Sequence, residues 1–338
     1  MAGTEAGAGI RWSPVRPADR ERGVALLTVL MLVAVVAVIA GASLERLRLA
    51  TRLAGNAGAQ GQAQNYARAA EALALSRLDG LLAQNPQRVT LAGGWSDRPF
   101  PLPLPDGLAI ARVHDGGNCF NLNGLVTEVA PGVYQSNAAQ RNRFARLMRL
   151  VDVPAQVAEQ VAAGASDWID TDTDVQTQGA EDASYAGLSP AYRTPGALMA
   201  DPSELRAVAG VTPQVYAAIE PWVCTLPQAR AATLNLNTLL PEQAPLIAAL
   251  LPDSVAPGTI AQALLRRPPQ GWSNAAAFWS GLSNSMASTD AQSATGVKSG
   301  WFALTVDVTV GTASLQERAL IDATRLPSRL VSRQWGEK

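Results

Sequence analysis

The alternation of apolar and polar positions divides the chain into stretches of different period. From Val24 to Leu44 the sequence VALLTVLMLVAVVAVIAGASL carries no charge. Its 21 residues at a helical rise of about 1.5 Å cover roughly one bilayer core, which predicts a membrane-spanning helix over 24–44. Residues 45–85 keep a helical pattern with no proline before Pro86. Their apolar positions Ala67, Ala70, Leu73, Ala74, Leu78, Leu81 and Leu82 recur mostly at spacings of three and four. One stripe should therefore face a core, with Arg68, Glu71, Arg77 and Asp79 mostly off it. Gly55, Gly58 and Gly61 weaken the middle of this helix and predict flexure there. Pro86 and PFPLPLPDG at 99–107 predict the end of the helix and a proline-rich connection.

The period then falls to two. LAIARVHD at 108–115 reads as a strand, and in WFALTVDVTV at 301–310 Phe302, Leu304, Val306, Val308 and Val310 alternate with smaller or polar residues. Gly311-Thr312 turns the chain, and SLQERALIDATR returns as a hairpin partner. The fold class this predicts is α+β: a long N-terminal helix over a small antiparallel sheet, the pilin arrangement. The first and last strands are separated by about 180 residues, too many for a loop, so a large helical domain is inserted between them.

Inside the insertion, FNLNGL at 120–125 is echoed by LNLNTL at 234–239, each opening a segment of helical pattern. Two related helical subdomains follow, 120–232 and 233–295. In the first, PSELRAVAGVTPQVYAAIEPWV at 202–223 resembles a helix-hairpin-helix turning through Ala209–Pro213. Such units often bind nucleic-acid backbones with nearby cations. Here residues 151–225 hold 11 Asp and Glu against 2 Arg and no Lys, a charge that repels phosphate, so the unit is structural and no nucleic acid is expected as partner.

Composition narrows the chemistry. The formal net charge is −1 with 16% charged residues, which gives no general attraction to nucleic acid or anionic lipid. One histidine, His114, and two cysteines, Cys119 and Cys224, are too few for zinc sites of four cysteines or paired cysteines and histidines, and few for Cys-His or Ser-His catalysis. The chain is therefore not expected to be an enzyme. The cysteines flank the first subdomain; either a disulfide or two separate buried thiols fits that placement.

What chemistry remains lies in ASDWIDTDTDVQTQGAEDASY, 165–185. With Asp170 as position one, Asp172 and Asp174 are third and fifth and Glu181 is twelfth, the carboxylate spacing of an EF-hand loop. Val175 stands where that loop has its glycine, so the backbone path should differ. Asp167 and Asp182 are near enough to add ligands. The alternatives are a solvated acidic loop or, from Asp167 with Glu181 or Asp182, a glycosidase-like acid and base pair. Six carboxylates in 167–182 with no Lys or Arg among them repel one another, and a bound cation relieves that. All-oxygen ligation points to Ca2+ or Mg2+.

The flank ADRERG stops at Gly23, where the apolar run begins without transition. A secretory signal cleaved after Ala40-Gly41-Ala42 and a plain signal anchor are two readings. The third is a type IV prepilin signal, cut between Gly23 and Val24 so that the apolar helix stays on the mature protein. R-x-R-G-V-A-L-L-T-V-L resembles that signal, with Thr28 where such proteins usually carry glutamate.

These features in this order, the junction lacking the glutamate, FNLN, DWID-x-D-x-D with GAED and a Tyr, SELRAVAGV, LNLNT and a terminal strand pair, resemble the type II secretion protein K family from about residue 20 to 325. The resemblance implies a minor pseudopilin at the tip of a periplasmic filament. It implies a structural Ca2+ at Asp167, Asp170, Asp172, Asp174, Glu181 and Asp182. It also implies assembly with minor pseudopilins I, J and H and with the major pseudopilin, after processing by prepilin peptidase at the inner membrane. The domain plan is a leader 1–23, a transmembrane part 24–44, a pilin core 45–119 and 296–325, the inserted subdomains between, and a flexible tail 326–338. A minor pilin of a related filament for adhesion or DNA uptake is the alternative.

Overall fold

The computed structural model describes residues 17–282 and 288–336, with side chains described from Gly23. Most of the expected leader, residues 1–16, lies outside the described residues. Two compact units are present, Met1–Gln62 and Ala63–Lys338. Helix α1 (Pro17–Gln84) begins in the first and ends in the second; over Val24–Leu53 it carries an exposed apolar surface, and it is long and apolar enough to cross a membrane. The helix runs unbroken through Gly55, Gly58 and Gly61; a single glycine costs about 1 kcal/mol, which a long hydrogen-bonded helix absorbs.

In the second unit the chain continues with strands β1 (Phe100–Leu104) and β2 (Gly107–Asp115), then the insertion. It begins with β3 (Phe120–Asn121), the hairpin β4 (Val126–Ala130) and β5 (Val133–Ser136), and helices α2 (Ala138–Leu150), α3 (Ala155–Ile169) and α4 (Asp182–Tyr185). A 3-10 helix (Pro202–Ala207), helix α5 (Pro213–Ile219) and β6 (Val223–Cys224) complete its first lobe. The second lobe comprises β7 (Leu234–Asn235), α6 (Ala244–Ala248), α7 (Pro257–Leu265), α8 (Ala275–Ser280), α9 (Thr289–Ser293) and β8 (Thr295–Gly296). The sheet then resumes with β9 (Trp301–Val310), β10 (Ala313–Asp322) and β11 (Arg329–Gly336).

The sheet has the antiparallel order β1-β2-β9-β10-β11. Ala63, Ala67, Ala70, Ala74, Leu78 and Leu82 of α1 pack on Ala109 and Ala111 of β2 and on Phe302, Leu304, Val306 and Val308 of β9. Alanines on that face let the helix lie close to the sheet. At the β1–β2 turn, a Cβ on Gly107 would sit 1.8 Å from the Thr309 carbonyl oxygen, so no other residue fits there without moving β9.

Three expectations need correction. PFPLPLPDG holds the edge strand β1, not an irregular connection. Pro101 and Pro103 are exposed alternate residues of it, and an edge position requires no N–H from them. The tail from 326 is not loose: Arg329–Gly336 is the fifth strand, paired with β10 from Gln316↔Gly336 to Asp322↔Arg329. Glu71 faces the sheet, where Arg333 of β11 bonds it with Nε at 2.9 Å and also reaches Glu317 of β10 at 3.2 Å. Glu317 is fully buried, and that burial, with Glu71 beside it, pushes its carboxyl up to about 7. The two carboxylates and one guanidinium fasten the C-terminal strand to α1.

Each inserted lobe opens and closes on a two-residue parallel pair: Phe120↔Val223 and Asn121↔Cys224 in the first, Leu234↔Thr295 and Asn235↔Gly296 in the second. The sequence echo marks these openings. In both, the first asparagine's Oδ1 accepts the N–H of the second (Asn121 from Asn123, 3.3 Å; Asn235 from Asn237, 2.9 Å). The second asparagine then makes a two-way amide bracket to distant backbone. Asn123 accepts from Met199 N–H at 2.7 Å and donates to its carbonyl at 2.9 Å; Asn237 does the same with Trp272 at 2.7 and 3.0 Å. The 202–223 segment differs from a regular helix-hairpin-helix in that its first arm is 3-10, started by an Asp201 capping box and closed by Val208. Helix α2 joins the lobes: Phe144 and Met148 enter the first core, Leu147 the second. Arg146 donates to Ala248 and Pro252 carbonyls at 3.0 and 2.7 Å.

Asn123→Ala and Asn237→Ala each strand buried backbone groups, and each should cost about 1–3 kcal/mol. Thermal unfolding of the full chain in detergent checks this; a loss under about 0.5 kcal/mol in both variants would contradict the bracket's role.

Candidate metal centre and the junction beneath the insertion

Helix α3 ends at Ile169, and the Asp170 N–H closes its last turn on the Ser166 carbonyl at 2.9 Å. That turn places Asp167 and Asp170 under the acidic loop, while Glu181 precedes α4 and comes back over them. One oxygen each of Asp170, Asp172 and Glu181 lie within 4.8 Å of one another. Oxygens held at about 2.4 Å from a calcium ion stand at most about 4.8 Å apart. Asp170 is 1% exposed, and neither of its oxygens has a hydrogen-bond partner; Asp167 Oδ1 and Glu181 Oε1 are likewise buried and unpartnered. Burial, then Asp172, Asp167 and Glu181 nearby, pushes the Asp170 carboxyl up to about 7. Burial also raises Asp167 and Glu181. A hard dication suits this donor set: it gives the orphaned oxygens a partner and removes their mutual repulsion.

The other expected ligands stand differently. Asp167 Oδ2 accepts from Gln176 N–H at 3.2 Å, bracing the loop from below. Asp174 is exposed, and its N–H turns back to Asp172 Oδ1 at 2.9 Å. Asp182 accepts from Thr194 N–H at 2.9 Å and lies 3.9 Å from Arg193. Thus the first, third and twelfth positions of the spacing converge and the fifth does not. Gly179 lies hard against Asp167, where a Cβ would fall 2.0 Å from Asp167 Oδ2. Tyr185 anchors the far side: its hydroxyl accepts from Ala209 N–H at 3.2 Å, and its ring stacks on Tyr192 and meets Trp168 edge-on. Cys119 and Cys224 are joined, with Cα atoms 5.8 Å apart, beside the β3–β6 pair.

A second polar cluster has no counterpart in the sequence reading. Asp115, at the end of β2, accepts from Thr238 and Ser299 hydroxyls and, at 2.9 Å, from Gly117 N–H. Asn118 donates to Thr238 and accepts from Asn235 N–H, while Asn235 donates to Val89 O and Ser299. These residues come from separate stretches, 115–118, 235–238 and 299 with Val89, and no spacing links the stretches. The cluster joins the insertion to the sheet at the end where α1 finishes, since Val89 N–H also donates to Val297 O at 2.8 Å.

Family models described as type II secretion system (T2SS), protein K, match residues 118–228 and 234–298. The type II secretion system protein K of Aeromonas hydrophila is 38% identical over 258 residues, covering 75% of this chain and 78% of that protein. The chain belongs to the type II secretion system protein K family. The Pectobacterium carotovorum member is 32% identical over 94% of this chain and 97% of its own length. A chain in the crystal structure of the GspK-GspI-GspJ complex from the enterotoxigenic Escherichia coli type 2 secretion system matches with a TM-score of 0.71 and 31% identity. That match covers 82% of this chain and 96% of the other. The family is a structural component of the secretion machinery, and the apolar stretch of α1 is compatible with a membrane anchor.

The sign of the pH dependence follows from Asp170 and Glu317. Their carboxyls ordinarily ionise near 3.8 and 4.5 and here near 7, so the folded chain holds these protons more tightly. That contribution is complete below the ordinary values and is lost as pH rises through about 7. In chelator, the melting temperature should fall between pH 5 and 7.5, and Asp170→Asn and Glu317→Gln should each reduce the slope. A slope unchanged in both variants would overturn the assignment.

Proposed function

We propose that this chain is a minor pseudopilin at the tip of the periplasmic pseudopilus, anchored in the inner membrane through residues 24–44, with its globular part in the periplasm. It starts filament assembly with minor pseudopilins I, J and H and is followed by the major pseudopilin. The system it serves exports folded proteins across the outer membrane. The observation that carries this reading is the placement of the insertion at the end of the sheet where α1 finishes. A subunit stacked above that end would meet the two lobes, whereas the flank of the sheet and α1 remain open for subunits below. Thr28, whose hydroxyl donates to Ala25 O at 2.9 Å, agrees with it: a first subunit has no amine above it to pair with a carboxylate, and an unpaired one in an apolar bundle is costly. Cleavage between Gly23 and Val24 by prepilin peptidase belongs to the same reading.

The acidic loop holds Ca2+ in a structural role, with Asp170, Asp172 and Glu181 as ligands and Asp167 bracing them; the ion stabilises the fold by binding only the folded lobe. No catalytic role is assigned. The acidic first lobe favours this reading over a DNA-uptake pilin.

Labelling of the assembled filament should place this chain at one end only, and mass spectrometry should find a mature terminus at Val24. Thr28→Glu should leave secretion intact or slightly reduced. Label along the whole shaft would refute the tip position. For the ion, Ca2+ should raise the melting temperature of the full chain in detergent, and Asp172→Ala with Glu181→Ala should abolish the rise.

A further inference from the structure

The acidic loop is hydrogen-bonded to the hairpin β4–β5. Thr171, between Asp170 and Asp172, donates its N–H to the Tyr134 carbonyl at 3.0 Å. Its hydroxyl bonds the same carbonyl and accepts the Tyr134 N–H, both at 3.1 Å. Two residues on, the Ser136 and Ser166 hydroxyls lie 2.7 Å apart, and Ser166 directly precedes Asp167. Among the described residues the hairpin pairs with no other strand. A two-stranded ribbon alone is marginal in water, so its order depends on what grips it from the side. Its exposed end carries two large apolar side chains, Val129 at 58% and Val133 at 44% exposure.

We infer that cation occupancy at Asp170, Asp172 and Glu181 sets the order of the β4–β5 hairpin, and so the presentation of Val129 and Val133, through Thr171. The inference rests on the Ca2+ reading above. With the cation, Asp170 and Asp172 are drawn to one point, and the backbone between them is held where Thr171 meets both polar groups of Tyr134. Without it the carboxylates repel, residues 170–172 spread, and the three bonds to Tyr134 weaken together. The hairpin then keeps its β4–β5 ladder and its base, where Val126 is buried in the first core and Ser136 meets Ser166, while its far end, with Val129 and Val133, loses its grip on the loop. Thr171 is a positioning residue. Its hydroxyl is engaged with Tyr134, and replacing it leaves the three carboxylates in place.

Hydrogen exchange by mass spectrometry on the full chain in detergent, with and without Ca2+, tests this. Terbium luminescence sensitised by Trp168 serves as an independent measure of binding. In the wild type, Ca2+ should slow exchange across 126–136 about tenfold or more. In Thr171→Val, ion binding should stay within about threefold of wild type, while the slowing in 126–136 falls below about threefold. If the ion binds and exchange in 126–136 does not change, the coupling is wrong and the metal centre stands. If Thr171→Val keeps the full effect, Thr171 is not the route. If neither ion binds the wild type at millimolar concentration, the metal reading fails and this inference with it.

Discussion

Strands β2 and β9 are hydrogen-bonded neighbours from Gly107↔Val310 to Asp115↔Phe302, so everything between them must leave the sheet and return to it within one strand spacing, about 4.8 Å. This constraint organises the molecule. The strand ends are held by Asp115, which is buried with both oxygens engaged: Oδ2 takes hydroxyls from Thr238 and Ser299, and Oδ1 takes the Gly117 N–H. Burial raises its carboxyl, and the donors offset part of that cost. A fully satisfied polar network of this kind fixes geometry more than it adds stability. Here it fixes the direction in which the insertion leaves the pilin core.

The same closure is repeated inside the insertion at smaller scale. Each lobe starts and finishes on a parallel pair, so each is a closed loop hung from its own base, and the second hangs from Asn235, which also belongs to the junction with the sheet. In the first lobe a covalent bond reinforces the base: the Cys119–Cys224 disulfide closes 105 residues, worth about 4–5 kcal/mol on the chain-entropy account. The second lobe has no cysteine. Its base is held by Asn237, by Arg267, which donates to the carbonyls of Asn237 and Leu239, and by Trp279, whose indole N–H donates to Thr295 at 2.9 Å. Arg146 and the divided face of α2 then make the lobes one body.

Features expressed as local periodicity were legible in the sequence. The membrane helix, the alternation of β9 and the echo of FNLN and LNLN each rest on neighbouring residues, and the structure places a helix, a strand and two lobe openings at them. Features that depend on a remote partner were not. Pro101 and Pro103 argue against a strand until β1 is known to be an edge. Arg329–Gly336 carries no clean alternation, because its order comes from β10 and from Arg333 reaching Glu71, 262 positions away. Glu71 itself reads as a surface residue until that guanidinium is seen. In the acidic loop the spacing marks Asp170, Asp172, Asp174 and Glu181, of which the structure brings Asp170, Asp172 and Glu181 together; Asp174 is exposed, and Asp182 accepts from Thr194.

The molecule contains two buried groups of carboxylates, and the difference between them bears on how it folds. In the pilin core, Glu71 and Glu317 share Arg333, so the chain supplies one counter-charge for two carboxylates, and the Glu317 carboxyl is pushed up to about 7. In the first lobe, Asp167, Asp170 and Glu181 are buried in a stretch, 150–192, that contains Arg or Lys nowhere. Arg193 pairs with the outlying Asp182, and Arg141 only lowers the nearby carboxyls at a distance. Desolvating like charges without a partner is unfavourable; a proton relieves it, as does a cation on the Ca2+ reading proposed above. The core cluster therefore has an ion-pair partner within the chain, whereas Asp170 in the lobe has no hydrogen-bond partner on either oxygen.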